Sequence, residues 1–178
     1  MKKKYWVFLL LFLFSLGADQ ATKVWARSAL KPTHEVITVI PNYFDMRYSE
    51  NEGSAFGLFR GMPGARYLLF AVGVVALVVV VSFLRKAGPE QTRVAGELGL
   101  LAGGAVGNII DRVWFGRVTD FILWKVHSHE WPVFNVADAA LVVGVIALLF
   151  DGKWGQAAAE EKVEPAVETG AKKGRAKK

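Results

Sequence analysis

The stretch from Gly103 to Asp138, GGAVGNIIDRVWFGRVTDFILWKVHSHEWPVFNVAD, sets ionisable and amide side chains between two long apolar runs. Asn108, Asp111 and Arg112 close the first run at spacings of three and four, which on a helix puts all three on one face. Asp138 falls in the first turns of the next run, with Asn135 three residues before it on the same face, and Asp120 lies on the connection between the two runs. Charged groups at membrane depth are costly and mark functional sites. Two carboxylates brought to one face of a bilayer can share a proton and do acid–base work on a water molecule. Asp111, followed directly by Arg112, reads as ionised and structural, and Arg112 suits either snorkelling or a lipid phosphate. Asp120 and Asp138 have no basic neighbour in sequence and are better placed to hold a raised, shared pKa. Which of them is base and which acid stays open.

The elements that must position these residues are apolar blocks. Tyr5 to about Ala26 is long enough to span roughly 30 Å of hydrocarbon at about 1.5 Å per residue. The run has the shape of a signal peptide, but Leu16 occupies the place where a second small residue is wanted before a cut at Ala18, so the helix is read as uncleaved. Residues 67–84, 93–113 and 134–150 supply three further spans. Lys2 to Lys4 and the short loop carrying Arg85, Lys86 and Arg93 place both on the cytoplasmic side. Gly99, Gly103 and Gly107 recur every fourth residue and form a stripe for close helix approach. Residues 33–62 are too polar to span, and THEVITVI and Tyr43 to Tyr48 alternate as short strands lying on the outer membrane surface. The expected architecture is a mainly α membrane protein of four transmembrane helices with a small periplasmic β region, residues 1–154 forming one domain. After it, residues 155–178 collapse to Ala, Glu, Lys and Gly and read as a disordered cytoplasmic tail.

Composition agrees. Of the 178 residues, 53% are hydrophobic, mean hydropathy is +0.30, and the apolar residues come in blocks. The net charge of +6 is concentrated at the two termini, with no basic patch interleaved with stacking aromatics, so nucleic acid is not an expected partner. The chain has no cysteine, which removes thiol nucleophiles and Cys-based zinc sites. His127 and His129 flank Ser128 but would need further ligands to hold a metal, and an outer loop is the simpler reading.

GNIIDRVWFGRVTDF followed by FNVAD resembles the signature of the lipoprotein signal peptidases, or signal peptidase II. DQATK at the outer end of the first helix matches a second motif, placing Asp19 and Lys23 in the site; by spacing alone they could form an ordinary ion pair. NEGSAF resembles a third element, which makes Asn51 and Gly53 candidates for holding substrate backbone. The resemblance implies an inner-membrane aspartyl protease without cofactor or metal, with Asp120 and Asp138 as its catalytic pair. It implies cleavage of prolipoproteins before a diacylglyceryl-modified cysteine, with membrane lipids as surroundings and inhibition by globomycin; a monomer is expected. Asp19, Lys23, Asn51, Gly53, Asn108, Asp111, Arg112 and Asn135 are the expected substrate-binding and supporting residues.

Two other classes fit parts of the pattern. An ion-coupled transporter also keeps carboxylates in its helices, but it needs them at the midplane or in both halves, and here they crowd the outer half. A membrane assembly factor could dock partners on the β region, but it has no use for two aspartates.

Overall fold

Helix α1 (Lys3–Ala29) owes its length to an apolar run that meets no proline or glycine pair before Leu30. In the computed structural model, which describes residues 2–53 and 62–151, it is followed by strands β1 (Val36–Ile40) and β2 (Phe44–Asn51). Helices α2 (Ala65–Lys86) and α3 (Thr92–Phe115), strands β3 (Val118–Val126) and β4 (His129–Glu130), and helix α4 (Val136–Asp151) complete the order. The part of the NEGSAF element after Gly53 and the tail at 155–178 lie outside the described residues. Each helix overlaps one of the four apolar runs read from the sequence. Of the four, α1, α2 and α3 are long and apolar enough to cross a membrane.

Helix α3 is the axis. Inside its most apolar window 72% is buried, against 17% for α1 and 11% for α2, so the other helices gather round it. The glycine stripe makes this possible. A Cβ at Gly99 would lie 2.5 Å from the carbonyl oxygen of Phe8, and one at Gly103 would meet Phe12 and Ser15 of α1 at 2.8 Å. Gly104 faces the other way, against the carbonyl of Ala137 in α4. Backbone lies on backbone at these points, which no side chain could permit. Below the stripe, Val80, Leu84, Val94, Ala95, Leu98 and Ala102 form an apolar cluster between α2 and α3.

The two ends of the bundle differ. At one end Lys4 Nζ donates to the carbonyls of Leu84 (3.0 Å) and Ala87, closing the last turn of α2 against the start of α1. Arg93 pairs there with Glu97 (3.4 Å), as its spacing predicts, and with Asp151 at the far end of α4 (3.3 Å). At the other end the sheet packs on the helix termini through Ala26, Leu30 and Phe121.

All strands are antiparallel, in the order β1-β2-β3-β4. β1 and β2 fall where alternation predicts strands. The sequence predicts only a connection around Asp120, whereas the nine residues Val118–Val126 form β3, paired with β2 from Phe44↔Trp124 to Asn51↔Val118. The miss has a physical cause. Val118, Thr119, Asp120 and Phe121 are all buried, so the first half of β3 is covered on both faces and shows no period of two. Gly116 makes the turn into this strand at φ 72°, the left-handed conformation that ends α3.

Substituting Gly99 by Ala forces the Phe8 backbone to move. Overpacking of this kind costs about 1–3 kcal/mol, so Gly99→Ala should lower the thermal unfolding midpoint in detergent micelles. An unchanged midpoint would mean that α1 and α3 do not approach as described.

Candidate active site

The polar residues at the sheet end of the bundle are joined in one hydrogen-bonded network built from five elements. It starts on α1, where Asp19, Lys23 and Arg27 stand at successive intervals of four and share one helix face. Lys23 is fully buried. Its ammonium meets Asp19 Oδ2 at 2.9 Å, donates to Asn108 Oδ1 at 2.9 Å and lies 3.7 Å from Asp111 Oδ2. The second oxygen of Asp19 accepts the backbone N–H of Ala137 (2.9 Å), which ties α1 to the first turn of α4. Gly107 is required here because a Cβ would run into the Asp19 carboxylate. Gln20 adds bonds to Asp19 (3.0 Å) and to the Gly107 carbonyl (3.2 Å).

Asn135 and Asp138 begin α4 with a reciprocal cap. Asp138 N–H donates to Asn135 Oδ1 (3.0 Å), and Asn135 N–H donates to Asp138 Oδ2 (3.2 Å). The cap fixes the Asp138 side chain, and its other oxygen accepts from Asn108 Nδ2 at 2.8 Å. Asn135 then uses its amide nitrogen on two further acceptors, Asp120 Oδ1 at 2.6 Å and Asn108 Oδ1 at 3.2 Å. One asparagine therefore touches both aspartates.

Asp120 sits on β3, where Asn51 of the neighbouring β2 donates to its second oxygen at 3.0 Å. Asn51 is held in turn by Gly53 N–H on its carbonyl oxygen (3.0 Å). Asp120 is 2% exposed, and its pKa is pushed up to about 7. Burial is the main cause, the nearby charge of Asp138 adds to it, and the amides of Asn51 and Asn135 oppose it.

Every residue singled out from the sequence lies in this network or next to it. Asp19, Lys23, Asn51, Asn108, Asp111, Asp120, Asn135 and Asp138 are directly bonded within it, and Gly53 supports Asn51. Two details differ from the sequence reading. Asp111 does not pair with Arg112; it accepts from Arg27 (3.3 Å) and from the Thr119 backbone N–H (2.9 Å). Arg112 turns back to the Asn108 carbonyl (3.1 Å), with its charge close enough to interact with Asp138, Asp120 and Asp111. Adjacent residues on a helix point about 100° apart, so chain neighbours are poor partners. Arg27, Gln20 and Thr119 were missed. The interval of four from Lys23 would have found Arg27. A cavity of about 400 Å³ opens one residue along from Asn51, lined among others by Glu52, Met62, Arg66, Phe115 and Arg117. Among the described residues no group of His, Cys, Asp and Glu is arranged to hold a metal ion.

A sequence profile described as Signal peptidase (SPase) II matches residues 11–153, most of the chain and all of this network. The chain belongs to the signal peptidase II family. It is 40% identical over 153 residues to a lipoprotein signal peptidase of Geobacter metallireducens, covering 85% of this chain and 93% of that one. It is 42% identical over 146 residues to one of Pseudomonas putida, covering 80% and 84%. Its fold is similar to that of two bacterial membrane enzymes solved by the in meso method. One has a TM-score of 0.70 at 28% identity, covering 90% of this chain and 94% of that chain; the other has 0.72 at 29%, covering 81% and 90%. The chain is thus a membrane-embedded protease of the lipoprotein signal peptidase type.

Infrared difference spectra of the peptidase, read against Asp120→Asn, should show the Asp120 carboxyl losing its proton near pH 7. Below that pH the proton is held; above it the group ionises. Because the Asn51 amide favours the ionised form, Asn51→Ala should move the midpoint to higher pH. A midpoint in the ordinary carboxylate range would contradict the buried setting described for Asp120.

Proposed function

We propose that this signal peptidase II family member is an aspartyl endopeptidase in which Asp120 and Asp138 share one proton across an attacking water. The observation that carries the reading is the double use of Asn135, which caps Asp138 while its amide grips Asp120. Asp138 takes a proton from the water as the water oxygen bonds to the scissile carbonyl carbon, and Asp120 gives its proton to the carbonyl oxygen. Collapse of the tetrahedral diol breaks the C–N bond. The proton on Asp138 passes to the leaving nitrogen, and Asp120 recovers its own from the diol hydroxyl. The raised pKa of Asp120 supports its assignment as the group that starts protonated.

The substrate in this reading is a prolipoprotein cleaved on the amino side of a diacylglyceryl-modified cysteine, its signal helix and acyl chains entering sideways from the lipid. Asn51 bonds Asp120 and is held by Gly53, and Arg112 lies close to both aspartates, so these three are the candidates for holding substrate backbone or headgroup. Asp19, Lys23, Asn108, Asp111 and Asn135 are supports. A globomycin-type inhibitor would occupy the same groove. Residues 1–154 act as one peptidase domain, a monomer with four spans in the bacterial inner membrane. The 16-residue α4 is the fourth span, at about 1.5 Å per residue some 24 Å long, and the site faces the periplasm.

Asp120→Asn and Asp138→Asn keep size and most hydrogen bonds but cannot cycle a proton. Each should lower kcat on a lipid-modified precursor by ~10²-fold or more with little change in binding, and the double variant should be scarcely worse than either single one. Retention of more than about a tenth of the rate by either variant would remove that residue from proton transfer.

The basic residues at Lys2 to Lys4 and in the 85–93 loop orient the chain. Reporter fusions at Lys31 and after Lys178 should therefore read opposite sides of the membrane. The same side for both would exclude four spans.

A further inference from the structure

Arg27 is the cation of the network with no motif behind it, and it touches more elements than its position at the end of α1 suggests. Its Nη1 donates to Asp111 Oδ1 at 3.3 Å on α3 and to Thr119 Oγ1 at 3.0 Å on β3. Its guanidinium plane lies over the Phe115 ring, 4.5 Å from the centroid, at the last residue of α3. The Asp111 carboxylate that it holds also accepts the Thr119 backbone N–H (2.9 Å). The turn from α3 into β3 is thus gripped from both sides, at Phe115 before Gly116 and at Thr119 after it. Asp120 is the next residue along the strand.

We propose that Arg27 is a positioning residue of the peptidase: it sets the start of β3 against α1 and α3, and so fixes where Asp120 stands opposite Asp138. The proposal rests on the aspartyl reading above. Arg27 itself reaches neither aspartate among its hydrogen bonds; it acts through Asp111 and Thr119.

The chemistry favours arginine over lysine at this place. One terminal nitrogen serves a carboxylate and a hydroxyl while the flat face of the guanidinium covers an aromatic ring, a stacking that a compact ammonium cannot reproduce. A second consequence follows from Asp111 having two cationic partners. Without Arg27, Lys23 is the cation left within ion-pair distance of Asp111 among the described residues, at 3.7 Å and shared with Asp19 and Asn108, while Arg112 acts from farther off. Drawing Lys23 toward Asp111 loosens Asn108, whose amide holds Asp138. Loss of Arg27 therefore displaces Asp120 through Thr119 and disturbs Asp138 through Lys23 and Asn108.

The test compares Arg27→Ala, Arg27→Lys and Thr119→Val in purified, detergent-solubilised enzyme. Turnover of a lipid-modified precursor is read together with the unfolding midpoint, and Asp120→Asn serves as a control. A misplacement of the reacting groups by about 1 Å costs up to ~10²-fold in rate. Arg27→Ala should lower kcat by about tenfold to a hundredfold with KM within about twofold, and Arg27→Lys should recover part of the loss. Thr119→Val removes only the strand-side acceptor, and it should lower kcat with the unfolding midpoint unchanged. A kcat for Arg27→Ala within about twofold of the parent overturns the proposal, as does a rise in KM alone. Equal losses in the Ala and Lys variants that track a falling midpoint also overturn it, since a merely structural contact behaves that way. If Arg27→Ala does not insert, Thr119→Val decides, and an unchanged kcat there counts against the proposal. The two readings fail separately: a dead Asp120→Asn with a fully active Arg27→Ala removes this proposal alone, whereas an active Asp120→Asn removes the aspartyl reading and this proposal with it.

Discussion

The amine of Lys23 lies at a point with no exposure, and the geometry of the sheet end of the bundle follows from how it is met. An uncompensated buried ammonium costs several kcal/mol, so partners must surround it. Asp19 comes from the previous turn of the same helix, and Asn108 and Asp111 come from α3. Reaching them requires α1 and α3 to lie with backbones nearly touching, and Gly99, Gly103 and Gly107 allow that. Close packing and the buried ion cluster thus depend on each other. The amide of Asn108, with its oxygen committed to Lys23, is turned so that its nitrogen points to Asp138.

Charge balance links this support to the aspartate pair. Asp19, Asp111, Asp120 and Asp138 bring four carboxylates to the sheet end, and Lys23, Arg27 and Arg112 bring three basic side chains. One proton makes the cluster neutral. Three of the carboxylates have a cation or a helix end near them. The two oxygens of Asp120 accept from amides, with Lys23 and Arg112 acting on it only from a distance, and burial favours its protonated form. A neutral cluster is also the one most easily kept in a setting of low dielectric, where a net charge would be expensive.

Much of this was legible in the sequence. Apolar runs located all four helices because a bilayer demands length and composition above all else. The polar residues of the site stood out because hydrocarbon tolerates so few of them. The glycine stripe marked α3 for close helix approach, and the structure shows the neighbour to be α1. What stayed hidden depended on burial from both faces or on distant partners. β3 had no alternation to read, since Val118 to Phe121 are buried together. Asp111 appeared to belong with Arg112 through adjacency, while its partner Arg27 lies 84 residues earlier. The cap formed by Asn135 and Asp138 was visible as a spacing of three, but its second function, the grip on Asp120, appears only once β3 is laid beside the start of α4.

Helix direction completes the electrostatic argument. α1 and α3 end where α4 begins, so two negative helix ends and one positive end meet at the site. The side chains match them: Arg27 and Arg112 stand in the last turns of α1 and α3, and Asp138 in the first turn of α4. Each charge sits where the backbone dipoles favour it. Asp120 comes from a strand, which has almost no net dipole to offer. The two aspartates of the pair therefore occupy unlike fields before any substrate arrives. One is held at a positive helix end by a reciprocal cap, and the other is buried on a strand, where burial favours its protonated form. In the proposed mechanism this asymmetry separates the proton acceptor from the proton donor, and it is set by the order in which helices and strands enter the site.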